Sequence, residues 1–138
     1  MFSIGSLSKQ TGVKVPTIRY YEQVGLIAPP ERTEGNQRRY RKEVLQRLGF
    51  IKHARELGFS IETIFALIAL NNHPDRSCAE ASTIAQEQLS NVRERIASLV
   101  RLESELLRIS EGCKGAGVVS DCYILASLAD HGHCETHH

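Results

Sequence analysis

No stretch of this 138-residue chain approaches the roughly 20 consecutive apolar residues of a helical membrane span, so no helical membrane span is expected. The opening residues, MFSIGSLSKQTG, lack the basic start and apolar centre of a secretory signal, so the cytoplasm is the expected compartment. There is no internal repeat, and no low-complexity run apart from the His-rich last residues, HGHCETHH. There is also no Gly-rich phosphate cradle, no nucleophile with a positioned base and no pair of carboxylates set for acid–base work; an enzyme is not expected. The apolar fraction, 41%, is slightly low for a self-sufficient core, so part of the core is expected from a partner chain. What is present is one domain, or a small domain plus an extension. Its four cysteines, in a reducing compartment, read as metal-binding or redox groups before structural disulfides.

The net charge is +1, but it is unevenly spread. Residues 1–72 carry 11 Lys+Arg against 6 Asp+Glu, while residues 73–138 carry 6 against 10. A basic half joined to an acidic half suggests that the first half meets a polyanion. Ordinary variation in surface charge is the competing reading.

Local signals divide the chain into helices. Ser3 caps a short helix whose inner face is Ile4, Leu7 and Ser8, and Gly12 ends it. A second helix begins at Val15-Pro16, with Pro in the first turn, and stops at Gly25. Two short helices joined by a tight turn make a helix-turn-helix candidate. Pro29-Pro30, the turn signal Glu34-Gly35-Asn36 and the basic run Gln37-Arg38-Arg39-Tyr40-Arg41 then predict a small β-hairpin, a wing. A third helix is predicted over 42–57, with Val44, Leu45, Leu48, Ile51 and Leu57 buried, and Gly58 closes it. Ser60 caps a fourth, carrying Ile61, Ile64, Leu67 and Ile68, which runs to about Asn71.

Ser77 caps a long helix expected from Cys78 to about Glu111. Its apolar positions are Ala85, Leu89, Val92, Ile96, Leu99, Leu102, Leu106 and Ile109, a heptad seam with one stammer. Such a stripe must be buried, either on its own domain or against a second copy, and the charged flanks favour the coiled coil. A loop and a short helix through Tyr123, Ile124, Leu125 and Leu128 follow.

The mainly α pattern, with its wing, points to DNA binding. Thr17, Arg19 and Tyr20 lie at or near the start of the second helix, where a recognition helix meets base edges. Arg is the best single reader of guanine, and Thr and Tyr can hold phosphates. Arg38, Arg39 and Tyr40 are the wing candidates.

Cys113 and Cys122 bracket the Gly-rich loop CKGAGVVSDC, and Cys78 stands at the start of the long helix. Helix N-termini favour negative charge beside them, and thiolates select soft or borderline metals. On spacing alone three readings stay open: a metal site, a redox disulfide between Cys113 and Cys122, and inert thiols. The tail residues His131, His133, Cys134, His137 and His138 offer a possible second metal site, or a dispensable end.

The segments IGSLSKQTGVKVPTIRYYEQVGLI and PPERTEGNQRRYRKEVLQRLGFIKHARELGFSIETI closely resemble the MerR family of winged-helix transcriptional regulators. The resemblance covers nearly the whole chain. It implies a winged helix-turn-helix DNA-binding domain with linking helices over 1–72. It further implies an antiparallel coiled-coil dimerisation helix over 73–111, and a metal-binding loop, short helix and tail over 112–138. Arg19 and Tyr20 would be recognition-helix contacts and Arg38 a wing contact. Members commonly place an aromatic residue just before the wing arginine; here Gln37 precedes Arg38.

Cys78 and Cys113 stand at opposite ends of a helix roughly 50 Å long. The antiparallel pairing that the resemblance implies sets Cys78 of one chain beside Cys113 and Cys122 of the other. Copper(I) sensors of the family carry Ser where Cys78 stands, so the resemblance is to the divalent branch: lead, cadmium, zinc or mercury. The loop length resembles that of the lead and mercury sensors more than that of the copper ones. Zinc prefers four ligands and would need a water, a second ion or a histidine such as His73. The implied function is a homodimeric activator of a metal efflux or resistance promoter in the bacterial cytoplasm. It would distort double-stranded promoter DNA and act on RNA polymerase through that DNA. The alternative is a thiol redox regulator using Cys113 and Cys122.

Overall fold

Ser3 opens the fold: its hydroxyl accepts the Ser6 N–H at 3.1 Å, satisfying one of the donors that a helix start leaves unpaired. Helix α1, Ile4–Thr11, ends at Gly12, whose φ of 77° is the left-handed conformation that terminates helices. The Lys52 ammonium donates to the Thr11 carbonyl at 2.7 Å, placing a cation where the dipole is negative and tying α1 to a later helix. Helix α2, Val15–Gln23, has Pro16 in its first turn, as the sequence predicts. The computed structural model describes residues 1–112, 115 and 117–129. It divides into two compact units, Met1–Ile84 and Ala85–His138.

In the first unit, α1 and α2 are followed by a hairpin of two short antiparallel strands, β1 (Glu31–Arg32) and β2 (Arg38–Arg39). Glu31 pairs with Arg39 and Arg32 with Arg38. Asn36 takes the left-handed turn position at φ 59°. The predicted wing is therefore present. Its base is closed by the N-terminus: Phe2 and Tyr40 exchange two backbone hydrogen bonds, of 2.8 and 2.7 Å. Helix α3, Lys42–Glu56, and helix α4, Ile61–Asn71, complete the unit, and the Ser60 hydroxyl caps α4 through the Thr63 N–H. Leu7, Ile18, Leu26, Leu48, Ile51 and Ile64 form its fully buried centre.

Leu57 departs from expectation. It is 56% exposed. Helix α3 ends at Glu56, one residue early, and the chain turns through Gly58 at φ 86°. The Leu57 N–H still bonds the His53 carbonyl, but at about 100° per residue Leu57 lies about 120° round the helix from buried Ile51, so the helical period itself turns it outward, and Ala54 takes the last inner position.

Helix α5, Ala79–Glu111, is unbroken through the stammer in its seam. Leu89, Ile96, Leu99, Leu102 and Leu106 are solvent-facing in the single chain, while Ile109 and Glu105 are buried near its end. In the second unit a 3-10 turn, Val119–Asp121, leads into helix α6, Tyr123–Ala129. No helix among the described residues is long and apolar enough to cross a membrane.

Candidate nucleic-acid interface and cysteine site

Helix α2 buries Ile18 and Tyr21 and so turns Arg19 and Tyr20 outward; Tyr20 is 48% exposed and Thr17 is half-buried. At about 100° per residue, neighbours of a buried position must point away from the core. On the wing, Arg38 is exposed and Arg39 half-buried. Arg19, Arg38 and Arg39 line one open cleft of about 270 Å³, with Glu22 and Tyr40 at its floor. Recognition helix and wing, remote in sequence, thus present cations at one place.

The cations are not equivalent. The Arg39 guanidinium donates to the Gln37 side-chain carbonyl at 2.7 Å and to the Arg38 backbone carbonyl at 3.1 Å. Arg41 pairs with Glu31 at 2.6 Å, and Arg32 donates to Asn36 Oδ1 at 2.9 Å. These three hold the hairpin. Among the described residues, neither Arg19 nor Arg38 has a side-chain hydrogen bond or ion pair, which leaves both charges for a partner.

Tyr40, expected among the DNA contacts, is instead buried, at 4% exposure. Its hydroxyl donates to the Glu22 carboxylate at 2.6 Å. Burial above all, then the hydrogen bond and charge of Glu22, push its hydroxyl up to about 12, partly opposed by Arg19 and Arg38. The ring belongs to the floor that supports the wing, so its side chain is not presented to an outside partner. Glu22 was not singled out from the sequence. It stands 18 residues from its partner, and no local pattern announces the bond.

Cys78 is exposed. Its carbonyl accepts the Ser82 N–H at 2.9 Å, so it occupies the capping position of α5, and the Ser77 hydroxyl accepts the Ala79 N–H at 3.2 Å. The helix starts one residue later than expected, so Cys78 takes the cap position and Ser77 stands just before it. A cavity of about 330 Å³ borders Cys78, lined by apolar Phe50, Leu67, Leu70 and Ala81 and by His73. Cys122 is half-buried. Its N–H donates to the Val119 carbonyl and its carbonyl accepts the Ala126 N–H, both at 3.1 Å, so it too stands just before a helix. Cys113 and the tail residues His131, His133, Cys134, His137 and His138 lie outside the described residues. Among the described residues, no group of three or more His, Cys, Asp or Glu comes together. The donors present, thiols with a nearby imidazole at Cys78, match soft and borderline cations.

Two family models match the chain, one described as MerR HTH family regulatory protein over residues 2–70, the other as MerR, DNA binding, over residues 45–109. The chain is 42% identical over 130 residues to the HTH-type transcriptional regulator ZntR of Escherichia coli (strain K12), covering 93% of this chain and 92% of that protein. It is 37% identical over 126 residues to the mercuric resistance operon regulatory protein of Pseudomonas fluorescens, covering 91% and 86%. Among solved structures it is similar to the transcription regulator PbrR691 from Ralstonia metallidurans CH34 in complex with lead(II). That match has a TM-score of 0.78 at 36% identity, over 93% of this chain and 99% of the other.

Proposed function

The chain belongs to the MerR family of helix-turn-helix regulators, a family of transcription factors and not of enzymes, and we propose that it is a homodimeric, metal-responsive regulator of a metal efflux or resistance promoter. The observation that carries the reading is its likeness, over 93% of its length, to a regulator solved with lead(II). The mercuric resistance regulator supports the same class of effector.

Each copy would lay α2 in a major groove, with Arg19 and Tyr20 at base edges and Thr17 beside the backbone. Arg38, with Arg39 held behind it, would meet phosphates from the wing. The uncovered leucines of α5 call for a second copy: seam residues such as Ile96 and Leu99 are more than half exposed in the single chain. An antiparallel pair of these helices brings Cys78 of one copy to Cys113 and Cys122 of the other.

Those three thiols would hold a divalent ion of the lead, cadmium, zinc or mercury type. The ion supplies a link between thiolates of two chains. Three thiolates suit lead, cadmium or mercury. Zinc prefers four ligands, and His73, on the cavity that borders Cys78, is the candidate for the fourth. Distorting promoter DNA costs several kcal/mol. The dimer can supply that energy only through a difference in ion affinity between its two conformations. RNA polymerase then responds to the reshaped promoter.

The test is ion binding by the reduced dimer, with lead, cadmium, zinc, mercury and copper(I) in competition, for the wild type and Cys78→Ser. A divalent ion should bind in equal number to the subunits, and the variant should lose it while keeping copper(I). A variant that binds every ion unchanged would refute the cross-subunit site.

A further inference from the structure

Where α5 ends, the Tyr123 ring lies directly on Gly112. A Cβ at residue 112 would overlap three ring carbons, Cγ, Cδ1 and Cε1. The backbone of Gly112 is outside the left-handed region, so its conformation does not demand glycine; the ring does.

The ring is held from behind. The Arg108 guanidinium donates to the Tyr123 hydroxyl and sits 5.8 Å from the ring centroid. Arg108 also forms an ion pair with Glu105, a carboxylate only 5% exposed. A buried carboxylate is costly without a partner, and Arg108 serves as one. The last turns of α5 thus carry a brace that fixes Tyr123.

In sequence, Cys113 follows Gly112 and Cys122 precedes Tyr123. The contact therefore sets the Tyr123 ring against Gly112, the two residues that immediately flank the cysteines in sequence. Closing a loop has an entropic cost, and a chelate whose ends are already joined does not lose that entropy when the ion arrives.

We propose that Tyr123 and Gly112 form a clamp, braced by Arg108 and Glu105, that closes loop 113–122 at its base and so sets its affinity for a thiophilic ion. The proposal rests on the reading of Cys113 and Cys122 as ligands. Tyr123 and Gly112 are positioning residues, since neither touches the ion.

A double-mutant cycle on the full-length dimer tests it, with lead(II) as the probe. The readouts are competition against a chelator and the near-ultraviolet charge-transfer band of lead thiolates. Gly112→Ala should weaken lead(II) binding by about tenfold or more, the usual effect of losing a group that orients a ligand. The affinity of the metal-free dimer for operator DNA should not change. In a Tyr123→Ala background the same substitution should cost almost nothing, because the ring it collides with is gone. Tyr123→Phe keeps the ring and should bind lead(II) more like the wild type than like Tyr123→Ala. Equal losses from Gly112→Ala in both backgrounds, or none in either, would overturn the clamp. A wild type without the thiolate band would overturn the ligand reading, and the clamp with it; a wild type with the band isolates the clamp as the point at issue.

Discussion

The Tyr40 hydroxyl donates a 2.6 Å hydrogen bond to the Glu22 carboxylate, joining the residue after the wing to the recognition helix. The same tyrosine exchanges two backbone hydrogen bonds with Phe2. Helix α2, the hairpin and the N-terminus therefore meet at one buried residue. That junction sets how Arg19 and Arg38 stand to each other across their cleft.

Removing the hydroxyl alone should loosen the junction without opening a cavity. Tyr40→Phe is expected to cost about 1–2 kcal/mol, at the low end for a hydrogen bond to a charged group, because half-buried Glu22 can take up water. Urea unfolding of the dimer measures it. Operator affinity should fall as well, although Tyr40 contacts no DNA in this reading.

Alkali probes the same bond. The Tyr40 hydroxyl is raised from 10.0 to about 12 in the fold. Its contribution to stability is full below pH 10.0, where the unfolded chain's tyrosine is still protonated, and is lost as pH climbs to about 12. The wild type should lose stability across that window more steeply than Tyr40→Phe, as stability curves at successive pH values would show.

Arg19 and Arg38 should separate by kind of contact. Arg19→Ala is expected to cost about 1–3 kcal/mol of operator binding and to relax sequence preference, as loss of a base reader does. Arg38→Ala should weaken operator and unrelated DNA alike and lower the salt slope by about 1. Binding titrations at several salt concentrations distinguish the two. Equal loss of preference in both variants would refute the division of roles.

Leu99 tests the second copy. It is 57% exposed in the single chain. If the seam is the dimer interface, burying such a leucine is worth about 1.5–3 kcal/mol, and a charge there adds a desolvation penalty. Leu99→Glu should shift sedimentation toward monomer at concentrations where the wild type is dimeric, and operator binding should go with it. A variant that remains dimeric places the interface elsewhere.

Much of the fold could be read from short signals. Ser3, Gly12, Pro16 and Ser60 mark helix ends because each satisfies or breaks backbone hydrogen bonding within a few residues of itself. The heptad spacing of α5 gave its length and its exposed stripe. The arginines of the cleft were also legible, since a basic run after a turn and an arginine on a short helix are local patterns. The cysteines could be named as candidates on the same grounds, while Cys113 lies outside the described residues.

Amino-acid order alone was enough for the order of the helices and their ends to within a residue, the winged pattern and the uncovered seam, since all are periodic or capping signals that act over one or two turns. It was not enough for Tyr40, whose hydrogen-bond partner is 18 residues away. Nor could it show that Gly112 is glycine for the sake of the Tyr123 ring. Those outcomes depend on which surfaces meet after the elements have formed, and a pattern within a single element carries no information about its neighbour.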